Sequence, residues 1–161
     1  MAATLPDPTL PAQLRRWNNL LNSAFPLVSA WLQEHAIHNL TAAARQGSLD
    51  AARILAEAAA RHSQPSVRST CLQILSAPLP PRAIEGIWLA WADTRSAALL
   101  ELLRARNILP AHSARLALLA ALKLGQLTPA RRAAPDQVPI LLQLRGDPDQ
   151  EIRANALLAL Q

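Results

Sequence analysis

Asp147-Pro148-Asp149-Gln150-Glu151-Ile152-Arg153-Ala154-Asn155-Ala156-Leu157-Leu158-Ala159-Leu160 places apolar side chains at Ile152, Ala156, Ala159 and Leu160. Steps of four, seven and eight residues put all of them on one stripe of an α-helix, with an arginine directly after the first. The arrangement stands upstream as Val67-Arg68, Cys71, Ile74 and Leu75. It stands a further time as Ala114-Arg115, Leu118, Ala121 and Leu122. A second echo pairs Gly47, Leu49, Ala52 and Arg53 with Gly125, Leu127, Ala130 and Arg131. Recurrence of one helical unit is the signature of stacked helix pairs, because a single pair cannot bury its stripe alone.

Working outward from these copies, proline and glycine punctuate the chain at intervals that suit helices of ordinary length. The periodicity predicts about nine helices in antiparallel pairs, near 11–22, 26–45, 48–61, 65–76, 81–92, 96–106, 111–124, 136–145 and 149–160. Gly47 is expected to close one helix and Ser48 to cap the next. Pro65 and Pro148 fall near helix starts, where a missing N–H does no harm. Composition agrees. The 161 residues include 33 Ala and 31 Leu but only three Val, one Phe and no Tyr, so helix formers abound and strand formers are scarce. An all-α chain of one domain is expected, 1–161, with 1–47 as an atypical N-terminal cap and 48–161 as the repeats.

The stripes resemble the HEAT repeat family. In that family the second helix of each pair carries an apolar-Arg-x-x-Ala…Leu pattern, often after Asp-x-Asp or Asp-Pro. Asp147-Pro148-Asp149 through Leu160 is similar to it, and similar also to the HEAT-like repeats of phycobilin lyases. Ser66-Val67-Arg68 matches without the aspartates. The resemblance covers about residues 48–161 and implies an α-α superhelix, a HEAT-like solenoid. It also implies that Arg153 bonds Asp147 or Asp149, and that Arg68, Arg115 and Arg153 are structural. A narrower likeness joins Trp91-x2-Thr94-Arg95, Leu99 or Leu100, Ala121-Leu122-Lys123-x-Gly125 and Asp147-x-Asp149. It looks like helical segments of large bacterial proteins that also carry WD-repeat propellers. Here Asn107-Ile108-Leu109-Pro110 replaces the Trp-Pro-type turn usual there.

Net charge is +5. Between Leu102 and Pro135 the basic residues Arg104, Arg106, Arg115, Lys123, Arg131 and Arg132 meet no acid, whereas Asp136, Asp147, Asp149 and Glu151 follow. One reading is a patch for phosphates or an acidic protein. The other is arginine-rich codon usage, with cations near helix C-termini where the dipole favours them. No aromatic residue interleaves there, so base stacking is not expected in that stretch.

Other candidates carry less chemistry. His35 and His38 lie a turn apart, but a zinc site needs further ligands, and a buried or half-exposed pair is expected. Trp88 and Trp91 share a helix face near Asp93 and Arg95. HEAT-like alkylpurine DNA glycosylases use such residues, but order and spacing differ here, and core packing or a partner contact is expected. Cys71 lies in a stripe, where a core thiol belongs. It has no second cysteine to pair with, which fits a reducing cytosol. No phosphate loop or nucleophile elbow occurs, and no cofactor or metal is implied. The N-terminus does not read as a signal peptide, and Trp17 to Gln33 is too polar for a membrane span. A cytoplasmic, non-catalytic protein-binding scaffold or adaptor is the expectation. A nucleic-acid module built on 102–135 is the alternative, and a glycosylase-like or lyase-like enzyme the remote one. The chain stops at Gln161 directly after a repeat helix, so a further repeat, a second copy or another subunit is expected to cover that flank.

Overall fold

The computed structural model describes residues 10–23, 29–131 and 137–161. Among them the chain forms α1 (Ala12–Leu21), α2 (Ser29–Arg45), α3 (Leu49–Arg61), α4 (Pro65–Ser76) and α5 (Pro81–Thr94). These are followed by α6 (Ala97–Arg106), α7 (Ala114–Lys123), α8 (Leu127–Arg131), α9 (Val138–Leu144) and α10 (Gln150–Ala159). No strand occurs among the described residues. The all-α expectation holds. The short α8 was not expected as a helix, because its single turn leaves no periodicity to read.

Boundaries follow from local chemistry. Ser48 Oγ accepts the Ala51 N–H at 3.2 Å, and Ser113 Oγ accepts that of Leu116 at 3.3 Å. The Asp149 carboxylate accepts from Glu151 at 3.0 Å and Ile152 at 3.4 Å. Each satisfies donors that a helix start leaves orphaned. Prolines open α4 and α5 at their first helical positions. Gly47 and Gly125 take φ of 91° and 68° after α2 and α7. That geometry lets Ser48 N–H reach the Ala43 carbonyl at 2.9 Å and Gln126 N–H reach that of Ala121 at 2.8 Å. The two glycine echoes thus close their helices by the same bond, and Ala52 and Ala130 are both buried behind them.

The arginines of two stripes do one job. Arg68 donates to the carbonyls of His62 at 2.6 Å and Ser63 at 3.4 Å. Arg153 donates to those of Asp147 at 2.7 Å and Pro148 at 2.9 Å. Each guanidinium folds back over the turn before its own helix and satisfies carbonyls that no helix bond reaches. Arg153 therefore bonds Asp147, one of the two aspartates that the resemblance implied, through its backbone carbonyl.

The middle copy is out of register. With Ser113 as cap, Ala114 and Arg115 are the first residues of α7 and both are exposed. Val67 and Ile152 each sit third in their helix. Leu116 takes that buried place in α7, and no arginine follows it. The spacing of Ala114-Arg115 therefore imitates the repeat without sharing its capping register.

The chain divides into two compact units, 1–103 and 104–161, with α6 crossing the division. Within the first unit α2, from the stretch read as an N-terminal cap, packs onto α3.

In the first unit the closest interface joins α3 to α5. Ala51, Ala52, Ala56 and Ala59 are buried on α3. At Gly86 an added Cβ would overlap the Leu49 carbonyl oxygen and stand 3.0 Å from the Arg53 nitrogen. Glycine is thus required there by close approach of two backbones. Trp88 and Trp91 are buried together edge to face, with centroids 5.5 Å apart. Val67, Cys71 and Leu75 line the inner face of α4, and Ile74 is half-buried.

In the second unit α7 is central. Leu116, Leu118, Leu119, Ala120, Ala121 and Leu122 are all buried, against α8, α9 and α10. Ile152 and Ala156 are buried as expected, but Ala159 and Leu160 are only half-covered.

Candidate interaction surfaces

Among the described residues of the basic segment, Lys123 is drawn out of the open patch that composition suggested. Lys123 is buried, with Nζ 2.7 Å from Asp149 and 2.7 Å from Glu151. Burial pulls its pKa down, but hydrogen bonds and charge from the two carboxylates more than compensate, and the net shift is upward. Burial likewise pushes Asp149 up, while Lys123 and the N–H groups of Ile152 and Glu151 bring it below its ordinary value. Arg104 reaches the same Glu151 at 3.5 Å. Arg106 is half-buried, and burial lowers its pKa. Arg115 is exposed. Arg131 ends α8, but its side chain and all of Arg132 lie outside the described residues. Lys123 is thus engaged by two carboxylates, and Asp149 and Glu151 fold back upon the segment they follow.

The sequence carried a signal for this. Lys123 is the single lysine in a chain with fifteen arginines. Its ammonium is a compact charge with three rotatable donors, enough to meet both carboxylates. Asn155 adds a bond from α10 to the Leu122 carbonyl at 2.7 Å.

Trp88 and Trp91 are less than 2 % exposed and belong to the core. Arg95 caps α5 with φ 52° and lies over Trp91, 4.9 Å from its ring centroid. Asp93 accepts from Arg53 at 3.3 Å through its carboxylate and from Arg61 at 2.8 Å through its carbonyl. These contacts tie α3 to the end of α5. Burial pushes the Cys71 thiol up to about 12, which keeps it protonated and unreactive. His62, which the sequence did not single out, is buried and joins α3 to α1. Its Nδ1 accepts the Gln64 N–H at 3.1 Å, so Nε2 carries the proton donated to the Leu21 carbonyl at 3.0 Å.

His35 and His38 are exposed, contrary to the buried or half-exposed pair expected. The inner face of α2 is instead Gln33, Ala36, Leu40, Thr41 and Ala44, which turns Trp31, His35 and His38 outward. His35 stacks on Trp31 with centroids 5.6 Å apart and planes 2° from parallel. Trp17 of α1 meets His35 edge-on at 5.2 Å.

Two of the hollows on the described surface bear on recognition. One, of about 420 Å³, is lined by Ala12, Arg15, Arg16, Asn19 and Leu20. The other, of about 360 Å³ in the second unit, is walled by Leu109, Pro110, Ala114, Ala117, Leu118 and Ala121 together with polar neighbours. Val138, Leu142, Leu157 and Leu158 are exposed apolar side chains on α9 and α10. Among the described residues no cluster of three or more His, Cys, Asp or Glu could hold a metal ion. Nor is any helix among them long and apolar enough to cross a membrane.

No family model, curated protein or solved structure matches this chain. What the fold and these surfaces define is a helical chain of two compact units with recurring turn chemistry.

Proposed function

We propose that the chain is a non-catalytic binding module, a HEAT-like solenoid of antiparallel helix pairs that serves as a scaffold for a protein partner. The observation that carries this reading is the shared clamp of Arg68 and Arg153 over the turn before its helix. Two units built by one local rule form a repeat, and repeats stack their apolar stripes while leaving outer faces free for recognition. Exposed leucines on α9 and α10 support a protein partner, since apolar side chains gathered at a surface favour being covered. Engagement of Arg104 and Lys123 with acids speaks against the basic segment as the principal contact.

Site-specific photocrosslinking in the host cell tests this reading. A benzophenone residue replaces Leu142 or Leu157, with the exposed Arg82 of α5 as reference. A discrete protein adduct at the leucine sites, absent at Arg82, is expected. Adducts that vanish on nuclease treatment, or none at either leucine, would overturn it.

A further inference from the structure

We infer that a strip across α1 and α2 binds single-stranded nucleic acid, with a base stacked on Trp31 and phosphates held at Arg15 and Arg16. This surface lies apart from the 102–135 segment and does not rest on the scaffold reading.

Four observations converge. Trp31 is 68 % exposed, the most open of the exposed large apolar side chains among the described residues, whose others lie between 38 % and 48 %. His35 stacks in parallel, offset fashion beside its indole, which holds the ring flat and leaves aromatic surface for a further ring to occupy. Contacts then continue without a gap. His35 meets Trp17, and the Arg16 guanidinium lies 5.7 Å from the centre of the Trp17 ring. Arg16 in turn helps to line the 420 Å³ hollow with Arg15 and Asn19.

Arg15 supplies the third observation. Its Nε is buried and has no hydrogen-bond partner among the described residues. The Nε itself is closed to solvent, so a phosphate in the hollow would be met by the outer nitrogens of the guanidinium that lines it. The fourth is charge. Residues 10–33 hold Arg15 and Arg16 and no acid. On α2 the exposed Glu34 is opposed by the exposed Arg45.

The combination selects the class of ligand. An apolar peptide would use the indole and leave the arginines idle. A plain polyanion would use the arginines and leave the indole bare. A single strand of nucleic acid uses both, because its bases are unstacked and its backbone is anionic.

Fluorescence anisotropy of labelled dT12 and rU12, titrated with the full chain at low salt, tests the proposal. Heparin serves as a polyanion without bases. Binding of the oligonucleotides is expected to quench tryptophan emission from the open indole. Trp31→Ala should weaken oligonucleotide binding about tenfold, Trp31→Phe should restore most of it, and heparin affinity should be indifferent to both. Arg15→Ala with Arg16→Ala should weaken both ligands and flatten the salt dependence by about one to two in log–log slope. Emission of the buried Trp88 and Trp91 reports that each variant is folded. Absence of oligonucleotide binding at low salt would overturn the proposal. So would oligonucleotide affinity unchanged in Trp31→Ala, or heparin affinity falling as far as that of dT12. The crosslinking test at Leu142 and Leu157 reads a different unit, so either idea can fail alone.

Discussion

The two compact units share their punctuation but not their cement. In the first, α3 and α5 approach so closely that alanines and Gly86 fill the seam, and the attraction is dispersion between backbones and small side chains. In the second, α7 is fixed to α10 by a buried ammonium between two carboxylates. One local grammar of caps, glycine closures and arginine clamps therefore accepts two different ways of holding helices together. The tryptophans make the difference measurable. All four lie at or before residue 91, so tryptophan emission follows the first unit alone, while far-ultraviolet dichroism follows both.

The largest expected effect strikes the first seam. Gly86→Ala should destabilise by about 3 kcal/mol, because the new methyl meets backbone that cannot yield. Urea melts followed by tryptophan emission check it, and an unchanged midpoint would mean that the α3–α5 approach is looser than described. Equivalent leucines of the two outer stripes sharpen the comparison. Leu75 is fully buried and Leu160 half-covered. Leu75→Ala should cost about 3 kcal/mol and Leu160→Ala about 1 kcal/mol, read by emission for the former and by dichroism for the latter. Equal costs would remove the distinction between a central and a flanking stripe.

Lys123→Met should destabilise the second unit by about 2 kcal/mol, since two carboxylates lose the ion between them yet retain some access to water. Hydrogen exchange within 104–161 is the readout, with the first unit unchanged. The pH dependence has a definite sign. Asp149 has a folded pKa below its ordinary value, so its contribution is complete above the ordinary carboxylate range. It is lost as pH falls below about 4. Lys123, shifted upward, contributes in full below its ordinary value and loses that contribution only in strong alkali. Acid sensitivity of the second unit should shrink in Lys123→Met without vanishing, because the N–H groups of Ile152 and Glu151 still hold the Asp149 carboxylate. The smallest effect belongs to the clamps. Arg68→Ala and Arg153→Ala should each cost about 1 kcal/mol, and nearly the same amount, because each removes hydrogen bonds to turn carbonyls.

Legibility in the sequence followed the range of each interaction. Ser48, Gly47, Pro65 and the Val67 and Ile152 stripes act within a few residues, and their effects were readable. The misreading at Ala114-Arg115 was also local: Ser113 is a better cap than anything earlier, and it shifted the register by two positions. What could not be read joins distant segments. Lys123 meets acids more than twenty residues on, and the outward turn of His35 was settled by which face of α2 packs on α3. Trp31, Arg15 and Arg16 had no shared pattern to betray them, since their juxtaposition is made by two helices meeting.

The arginine clamp has one more implication. Because each guanidinium grips carbonyls five and six residues behind it, part of what fixes the corner is carried within a short stretch of chain. The angle at which such a helix leaves its turn is then set in part before any contact with the next helix is made.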